Sequence, residues 1–508
     1  MVYARSPGME LSFSKFRLRF YFFVGALICQ LIASNIPAFD TSHLVSKPSS
    51  DSPDSTSLDF SRDSSATGYS VDFNDYPPNL VPSAGLRWDA LHYIDVALSG
   101  AYTYEHQYAF SPGVPIVLRL VYLGKEQLYR LVSRMLLPGS KSTEFCSILT
   151  NLINALLVAM VASQPSLALY NLTKRVTRSK EFSFLTLLVH VILGAPPVII
   201  RSVYAEPFFA WFTFEGLSAC HQQKYLTASL YFALATGFRT NGILLPCFLV
   251  YSLIVQPVFS EILLNLRKPP GTRPTNLSKS LYQILGKLNL SFTRLIYCTF
   301  LFMVSLSPFV AQQYMAYISF CQSSSPRPWC NSRIPLIYSF VQSHYWDVGP
   351  WRYWTIAQIP NFLLALPILS LAFSSLIWFF LAVRQVIQPK HKRVDLLSDL
   401  ALTPSMALTL LPYAIHALVL SLTLFIAAHV QISLRVLPAA TPWISWAGAA
   451  LIIQGTRYET VVAKKNGQPG VNLRNGSWWP FLSNLWLGWS VVWIFISSVL
   501  WLAFLPPA

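Results

Sequence analysis

Apolar runs of about 20 residues recur along the chain, long enough for a helix rising 1.5 Å per residue to cross a bilayer. Clear ones fall at 18–38, 148–170, 183–203, 294–318, 359–383, 405–428, 437–455 and 481–505. Between 205 and 258 the pattern changes. Shorter runs at 206–220, 225–237 and 243–258 are interrupted by Glu206-Pro207, by His221 to Lys224 and by Gly237 to Gly242. Eleven crossings fit this pattern best, and nine with re-entrant pieces fit it as well. Backbone that breaks at membrane depth must be covered by protein or line a wet cavity, so these interruptions mark places where a site is expected. The pattern predicts an all-α polytopic membrane protein.

Charge gives the runs an orientation. Arg5, Lys15, Arg17 and Arg19 precede the first run, and further basic clusters lie at Lys174 to Lys180, Lys224, Arg267 to Arg294, Arg384 to Arg393 and Arg457 to Arg474. With eleven crossings all of these fall on one side, the cytosolic side by the positive-inside rule, and they hold most of the 37 Lys and Arg. The opposite loops hold only Arg201, Arg239, Arg327, Arg333, Arg352 and Arg435 besides those of the first loop. The order expected is then a cytosolic N-terminus over 1–17, a first helix over 18–38, a disordered acidic linker over 39–82, a long first lumenal loop over 83–147, and a multi-helix membrane domain over 148–508.

Composition agrees with this reading. The 508 residues are 53% hydrophobic and only 11% charged, with a mean hydropathy of +0.45, against roughly 25% charged residues in soluble domains. The net charge of +16 is explained by topology, since the basic residues form short clusters between apolar runs and no stripe for nucleic acid. The first run is long and ends in Ile-Pro-Ala-Phe, a poor cleavage site, so it reads as an anchor and not as a signal peptide. Residues 40 to 82 are rich in Ser, Asp and Pro and poor in apolar residues, the signature of a disordered segment. The seven Cys show no metal-ligand spacing, and no metal is assigned. Cys321 and Cys330 share a loop, and a disulfide between them is expected if that loop faces an oxidising lumen.

The chemistry concentrates just after the linker. Arg87-Trp88-Asp89-Ala90-Leu91-His92-Tyr93-Ile94 is followed by Gly100-Ala101-Tyr102-Thr103-Tyr104-Glu105-His106-Gln107-Tyr108-Ala109-Phe110-Ser111-Pro112-Gly113. At helical spacing Trp88, His92 and Asp95 share one face, as do Asp89 and Tyr93. Periodicity alone favours an amphipathic interfacial helix.

These motifs closely resemble the first lumenal loop of the GPI mannosyltransferase 2 family, called PIG-V in animals. The resemblance continues in order through Tyr204-Ala205-Glu206-Pro207, Gly237-Phe238-Arg239-Thr240-Asn241-Gly242, Tyr345-Trp346-Asp347-Val348-Gly349 with Arg352-Tyr353-Trp354, Gln358-Ile359-Pro360-Asn361-Phe362, and His429-Val430-Gln431 with Arg435. It leaves out only the linker, residues 259–290 and the tail after Arg457. The family often has Ser where this chain has Ala205. The resemblance implies a GT-C type glycosyltransferase of the endoplasmic reticulum membrane with a lumenal site. Its donor would be dolichyl phosphate mannose, its acceptor the GPI precursor glycolipid, and its product the second mannose in α1,6 linkage. No cofactor is implied beyond the donor, and an accessory membrane subunit is a possible partner.

A β-linked donor that yields an α-linkage has inverted, which calls for one displacement assisted by a carboxylate base. Asp89 is the candidate base, with Glu105 second. Trp88, His92, Glu206, Arg239, Asn241, His429, Gln431 and Arg435 are candidates for substrate contact, the basic ones for phosphate or headgroups. Each has a bland alternative. Asp89 caps a helix, Glu105 makes a loop hydrogen bond, Glu206 opens a helix, and the arginines snorkel. A lipid or sugar transporter is the competing class, but its polar residues belong near the bilayer midplane, whereas these cluster at helix ends of one side. A non-catalytic subunit would make Asp89 replaceable.

Overall fold

The computed structural model describes residues 17–25, 89–135, 140–193, 204–266, 292–322, 326–387, 394–395, 401–465 and 478–502. Trp88, the acidic linker and most of the first apolar run lie outside them. After the helical stretch at 17–25 come α1 (Asp89–Ser99), α2 (Gly113–Met135), α3 (Ser140–Thr177), α4 (Lys180–Leu193), α5 (Glu206–His221) and α6 (Tyr225–Phe238). There follow α7 (Pro246–Val250), α8 (Gln256–Leu266), α9 (Phe292–Cys321), α10 (Ile337–His344), α11 (Ile359–Ile387), α12 (Pro404–Ile426), α13 (Ser433–Ala440), α14 (Trp443–Lys465) and α15 (Trp479–Leu502). The described strands are one two-residue antiparallel pair, Val394–Asp395 with Ala401–Leu402.

Six helical stretches are long and apolar enough to cross a membrane: Leu152–Thr177, Thr240–Ile262, Phe292–Cys321, Ile356–Ile387, Pro404–Ile426 and Trp479–Leu500. A seventh is added if α13 and α14, which meet at 87°, count as one span. The bend has a local cause, because Thr441 precedes Pro442 and takes the extended conformation that a following proline favours. The described residues therefore give six or seven spans where the sequence predicts eleven. The runs at 206–220 and 225–237 are helical, but with 16 and 14 residues α5 and α6 reach only about 24 and 21 Å, short of a hydrocarbon core of about 30 Å. The runs at 18–38 and 183–203 extend beyond the described residues.

Two ends of the bundle are chemically distinct. Glu206 starts α5 and Arg239 ends α6, and the loops after α9 and α12 meet the same end. There the Gly349 and Trp351 amides donate to the carbonyls of Ala427 and Ile426 at 3.0 and 2.8 Å. The Gln312 amide of α9 donates to the carbonyls of Tyr108 and Phe110. At the other end His221, the last residue of α5, lies in the field of Arg175 and Arg178, and Tyr225 in that of Arg294. The polar motifs thus share one end and the basic turns the other, the separation expected of a site at the membrane surface.

Candidate active site

Four charged side chains, each from a separate sequence motif, form one network. Asp89, the first residue of α1, directs its carboxylate to Arg435, with Oδ2 3.0 Å from the guanidinium. Arg435 Nε lies 2.8 Å from Oε1 of Glu206, and Arg239 donates to the same oxygen at 2.5 Å. Each partner is placed by a helix end. Pro207 fixes the start of α5 and presents Glu206 in its first turn. Arg239 takes an extended conformation where α6 stops, and Arg435 lies within the first turn of α13. Gly113 tightens the arrangement, since a Cβ there would lie 2.8 Å from the carbonyl oxygen of Gly237 and from the Phe238 ring. The start of α2 is thereby seated on the end of α6, next to Arg239.

The network balances two carboxylates against two guanidiniums, which is how buried charge is tolerated. Its members differ in access. The Glu206 side chain is 2% exposed and Arg435 14%, whereas Asp89 is 26% exposed. Oε2 of Glu206 is buried without a hydrogen-bond partner among the described residues, as are both amide atoms of Asn241, two positions beyond Arg239. Such orphaned groups inside a polar site are places for a missing partner. Two aromatic residues complete the cluster. Arg435 lies over the Tyr204 ring at 5.3 Å. Buried Tyr93 sits in the combined field of Asp89, Arg239, Glu206 and Arg435, and burial and then Asp89's negative charge hold its hydroxyl protonated.

Glu105 belongs to a different structure. Arg327 donates through Nε and its terminal nitrogen to the two carboxylate oxygens at 2.8 and 2.7 Å, Trp329 Nε1 donates at 2.8 Å and the Tyr345 hydroxyl at 3.0 Å. Burial raises its carboxyl pKa, but these donors outweigh burial and hold it below the usual range. Because the folded value is depressed, the clamp's stabilisation is full at neutral pH and is lost as pH falls through that value. A disulfide between Cys321 and Cys330, Cα atoms 5.5 Å apart, closes the segment that carries Arg327 and Trp329. On a chain-entropy account a loop of this size is worth about 2–3 kcal/mol. Changing both cysteines to serine should lower the thermal midpoint of the purified protein, and Arg327→Ala should then cost less than it does with the disulfide intact. Strictly additive losses in the four-way comparison would separate the disulfide from the clamp.

The other candidates pack around this frame. His429 makes a 2.9 Å hydrogen bond to the Trp346 carbonyl and stacks on Tyr353, ring centroids 4.7 Å apart. The Tyr353 hydroxyl donates to Gln431 and accepts from Asn361. His429 and Gln431 therefore hold the loop over 346–361, with no contact to the four-charge network among those described. His92 stacks on Phe110 at 4.6 Å and meets His106 edge-on at 5.3 Å. Burial outweighs the nearby Asp89 and Asp95 to lower the His92 pKa, and burial and then His92 lower His106 to about 4, so His106 is neutral at neutral pH. The structure thus brings together Asp89, Glu206, Arg239 and Arg435. It sets Glu105, His429 and Gln431 in supporting contacts.

Sequence reasoning missed Tyr93 and Tyr204. Both were signalled by spacing, Tyr93 one helical turn after Asp89 and Tyr204 two residues before Glu206. Arg327 and Trp329 gave no such signal, because their partner Glu105 lies more than 200 residues away.

A family profile described as mannosyltransferase (PIG-V) matches residues 44–508. The chain belongs to the PIG-V mannosyltransferase family. It is 30% identical over 447 residues to a protein of Cryptococcus neoformans named GPI mannosyltransferase 2, with 85% of this chain and 92% of that one aligned. It is also 30% identical over 419 residues to human GPI alpha-1,6-mannosyltransferase 2, covering 74% of this chain and 77% of the human protein. The Drosophila melanogaster GPI mannosyltransferase 2 is 28% identical over 383 residues, covering 72% and 78%. No solved structure matches. As a family member the chain is a multi-pass membrane mannosyltransferase, and the charge network is its candidate centre.

Proposed function

We propose that this mannosyltransferase adds the second mannose, in α1,6 linkage, to the GPI precursor, taking it from dolichyl phosphate mannose at the lumenal face of the endoplasmic reticulum membrane. The observation that carries the reading is the network's asymmetry. Asp89 is its accessible carboxylate, and immediately beside it two guanidiniums are held at fixed spacing by buried Glu206. A single displacement needs both features. Asp89 accepts the proton of the acceptor's hydroxyl as that oxygen bonds to the anomeric carbon. The carbon–oxygen bond to phosphate breaks, and its electron pair departs on dolichyl phosphate, which gains one negative charge. Arg435 and Arg239 meet that charge as it develops. Because Glu206 already orients them, little reorganisation remains for the reaction itself. Tyr93 and Asn241 supply further polar groups for the sugar. Glu105 serves as the clamp of the lumenal loops.

The experiment is an in vitro assay of the purified protein with labelled dolichyl phosphate mannose and a GPI precursor carrying one mannose. Label should pass to the precursor and become susceptible to an α1,6-specific mannosidase. Transfer to other glycolipids with the one-mannose precursor inert would reject the acceptor. Arg239→Lys and Arg435→Lys should fold yet raise the donor KM or lower turnover, since a point charge does not replace a guanidinium that spans two oxygens. Unchanged kinetics in both would return these residues to a structural role.

Orientation has its own test. The four sequons, at Asn171, Asn276, Asn289 and Asn475, fall in or beside the segments read as cytosolic. All should remain unmodified. A mobility shift on glycosidase digestion, removed by Asn→Gln at any of them, would reverse the topology.

A further inference from the structure

We infer that the end of the protein opposite the Asp89–Arg435 network binds one anionic phospholipid, with an acyl chain in a groove between α11, α14 and α15 and the headgroup on the basic α3–α4 turn. The groove has a volume of about 660 Å³, within the range of a ligand site. Its floor is Trp446, Ala447 and Trp486, where α14 and α15 touch so closely that a Cβ on Gly448 would lie 2.4 Å from the Trp486 ring. Leu366 and Leu371 of α11 form one wall, and Leu485 lies on the other side.

The lining selects hydrocarbon. Its serines are already engaged: Ser370 and Ser374 donate to carbonyls of their own helix, and Ser375 accepts from Trp443 Nε1 at 3.0 Å, while Trp486 Nε1 on the floor is a buried donor without a partner among the described residues. A polar ligand finds few partners there. Leu366 and Leu485 are 57% and 58% exposed, so the groove opens sideways, toward the lipid in a membrane-spanning bundle. From Leu366 to Phe379 the α11 wall runs for about 20 Å. One leaflet's share of a core about 30 Å thick covers most of that length.

The mouth selects charge. Thr177 and Phe182 line the groove at the turn between α3 and α4, the turn carrying exposed Lys174, Arg178 and Lys180. The acid on the turn is Glu181, which accepts from Ser179 at 3.3 Å, and Glu215 lies in the field of Arg175. Positive charge therefore dominates beside an apolar slot, the combination that holds an anionic headgroup at a membrane surface. This turn is at the far end of α5 from Glu206, so the occupant is a lipid of the leaflet away from the charge network and not the sugar donor. The inference needs only that the chain spans the membrane, and its test reads lipid, not transfer.

The full-length protein is reconstituted into nanodiscs of phosphatidylcholine with a minority of phosphatidylserine, and lipids retained after gentle release are identified by native mass spectrometry. One phosphatidylserine should be retained, enriched at least about tenfold over phosphatidylcholine. The triple change Lys174→Gln, Arg178→Gln and Lys180→Gln should abolish the enrichment while a chain is still held. Ala447→Phe should remove the retained lipid, and Leu485→Trp, on the exposed rim, should do so if the buried change does not fold. Equal retention of both lipids by the unaltered protein, enrichment that survives the triple change, or retention of a polyprenyl phosphate instead would each overturn the proposal.

Discussion

Asp89→Asn should leave the protein at near-normal abundance while turnover falls at least about 100-fold, equivalent to about 2.7 kcal/mol of barrier. A sugar hydroxyl is a poor nucleophile until an acceptor takes its proton, and a positioned base contributes about 10²–10⁴ in rate. The amide keeps the size of the side chain and still accepts a hydrogen bond from Arg435, so it removes basicity while leaving the α1 start in place. Alanine would remove both. Glu105→Gln is the matched control. Its four donors show a carboxylate spent on holding Arg327, Trp329 and Tyr345, so the change should lower the thermal midpoint while turnover per folded molecule stays within a few-fold. A dead Glu105→Gln beside an active Asp89→Asn would exchange the two assignments. If both remain active, the base lies outside this loop.

The two carboxylates show what the sequence reveals and what it conceals. Both sit in one conspicuous motif, each with aromatic neighbours, and local pattern ranks them only weakly. What separates them is the long-range partner. Arg435 reaches Asp89 across more than 300 residues and Arg327 reaches Glu105 across 222, and no periodicity connects such positions. The helix breaks were legible, because Glu206-Pro207 and Gly237 to Gly242 interrupt apolar runs at the places where Glu206 and Arg239 are presented. That the two breaks face each other was not. The roles of His429 and Gln431 were hidden for the same reason, since their partners Trp346 and Tyr353 come from a loop some 80 residues earlier. Span number was less legible: hydropathy marks the runs that become α5 and α6, but their lengths of 16 and 14 residues are set by the polar turns at each end, and the runs at 18–38 and 183–203 extend beyond the described residues. The pairing of Cys321 with Cys330 was accessible because both lie on one short segment.

Glu206→Gln should destabilise the fold by about 3–5 kcal/mol, the range for breaking a buried ion pair from one side. Glu206 is 2% exposed and faces both Arg239 and Arg435. Without its charge two guanidiniums share the single remaining carboxylate, Asp89, in surroundings where water cannot compensate. The loss should therefore come from uncompensated charge and not from packing, because glutamine fills the same volume. A second change separates these causes. In Glu206→Gln combined with Arg239→Met, Arg435 and Asp89 again balance, so much of the thermal midpoint lost in Glu206→Gln should return. Mannosyl transfer should not return, since the donor phosphate has lost one of its two cations. The four-way comparison is made on detergent-purified protein by thermal unfolding alongside the transfer assay. A Glu206→Gln protein as stable as the unaltered one, or a double variant no more stable than the single, would show that the network does not hold this end of the bundle together. Recovered stability with recovered transfer would remove Arg239 from the donor site and leave Arg435 as the cation that meets the leaving phosphate.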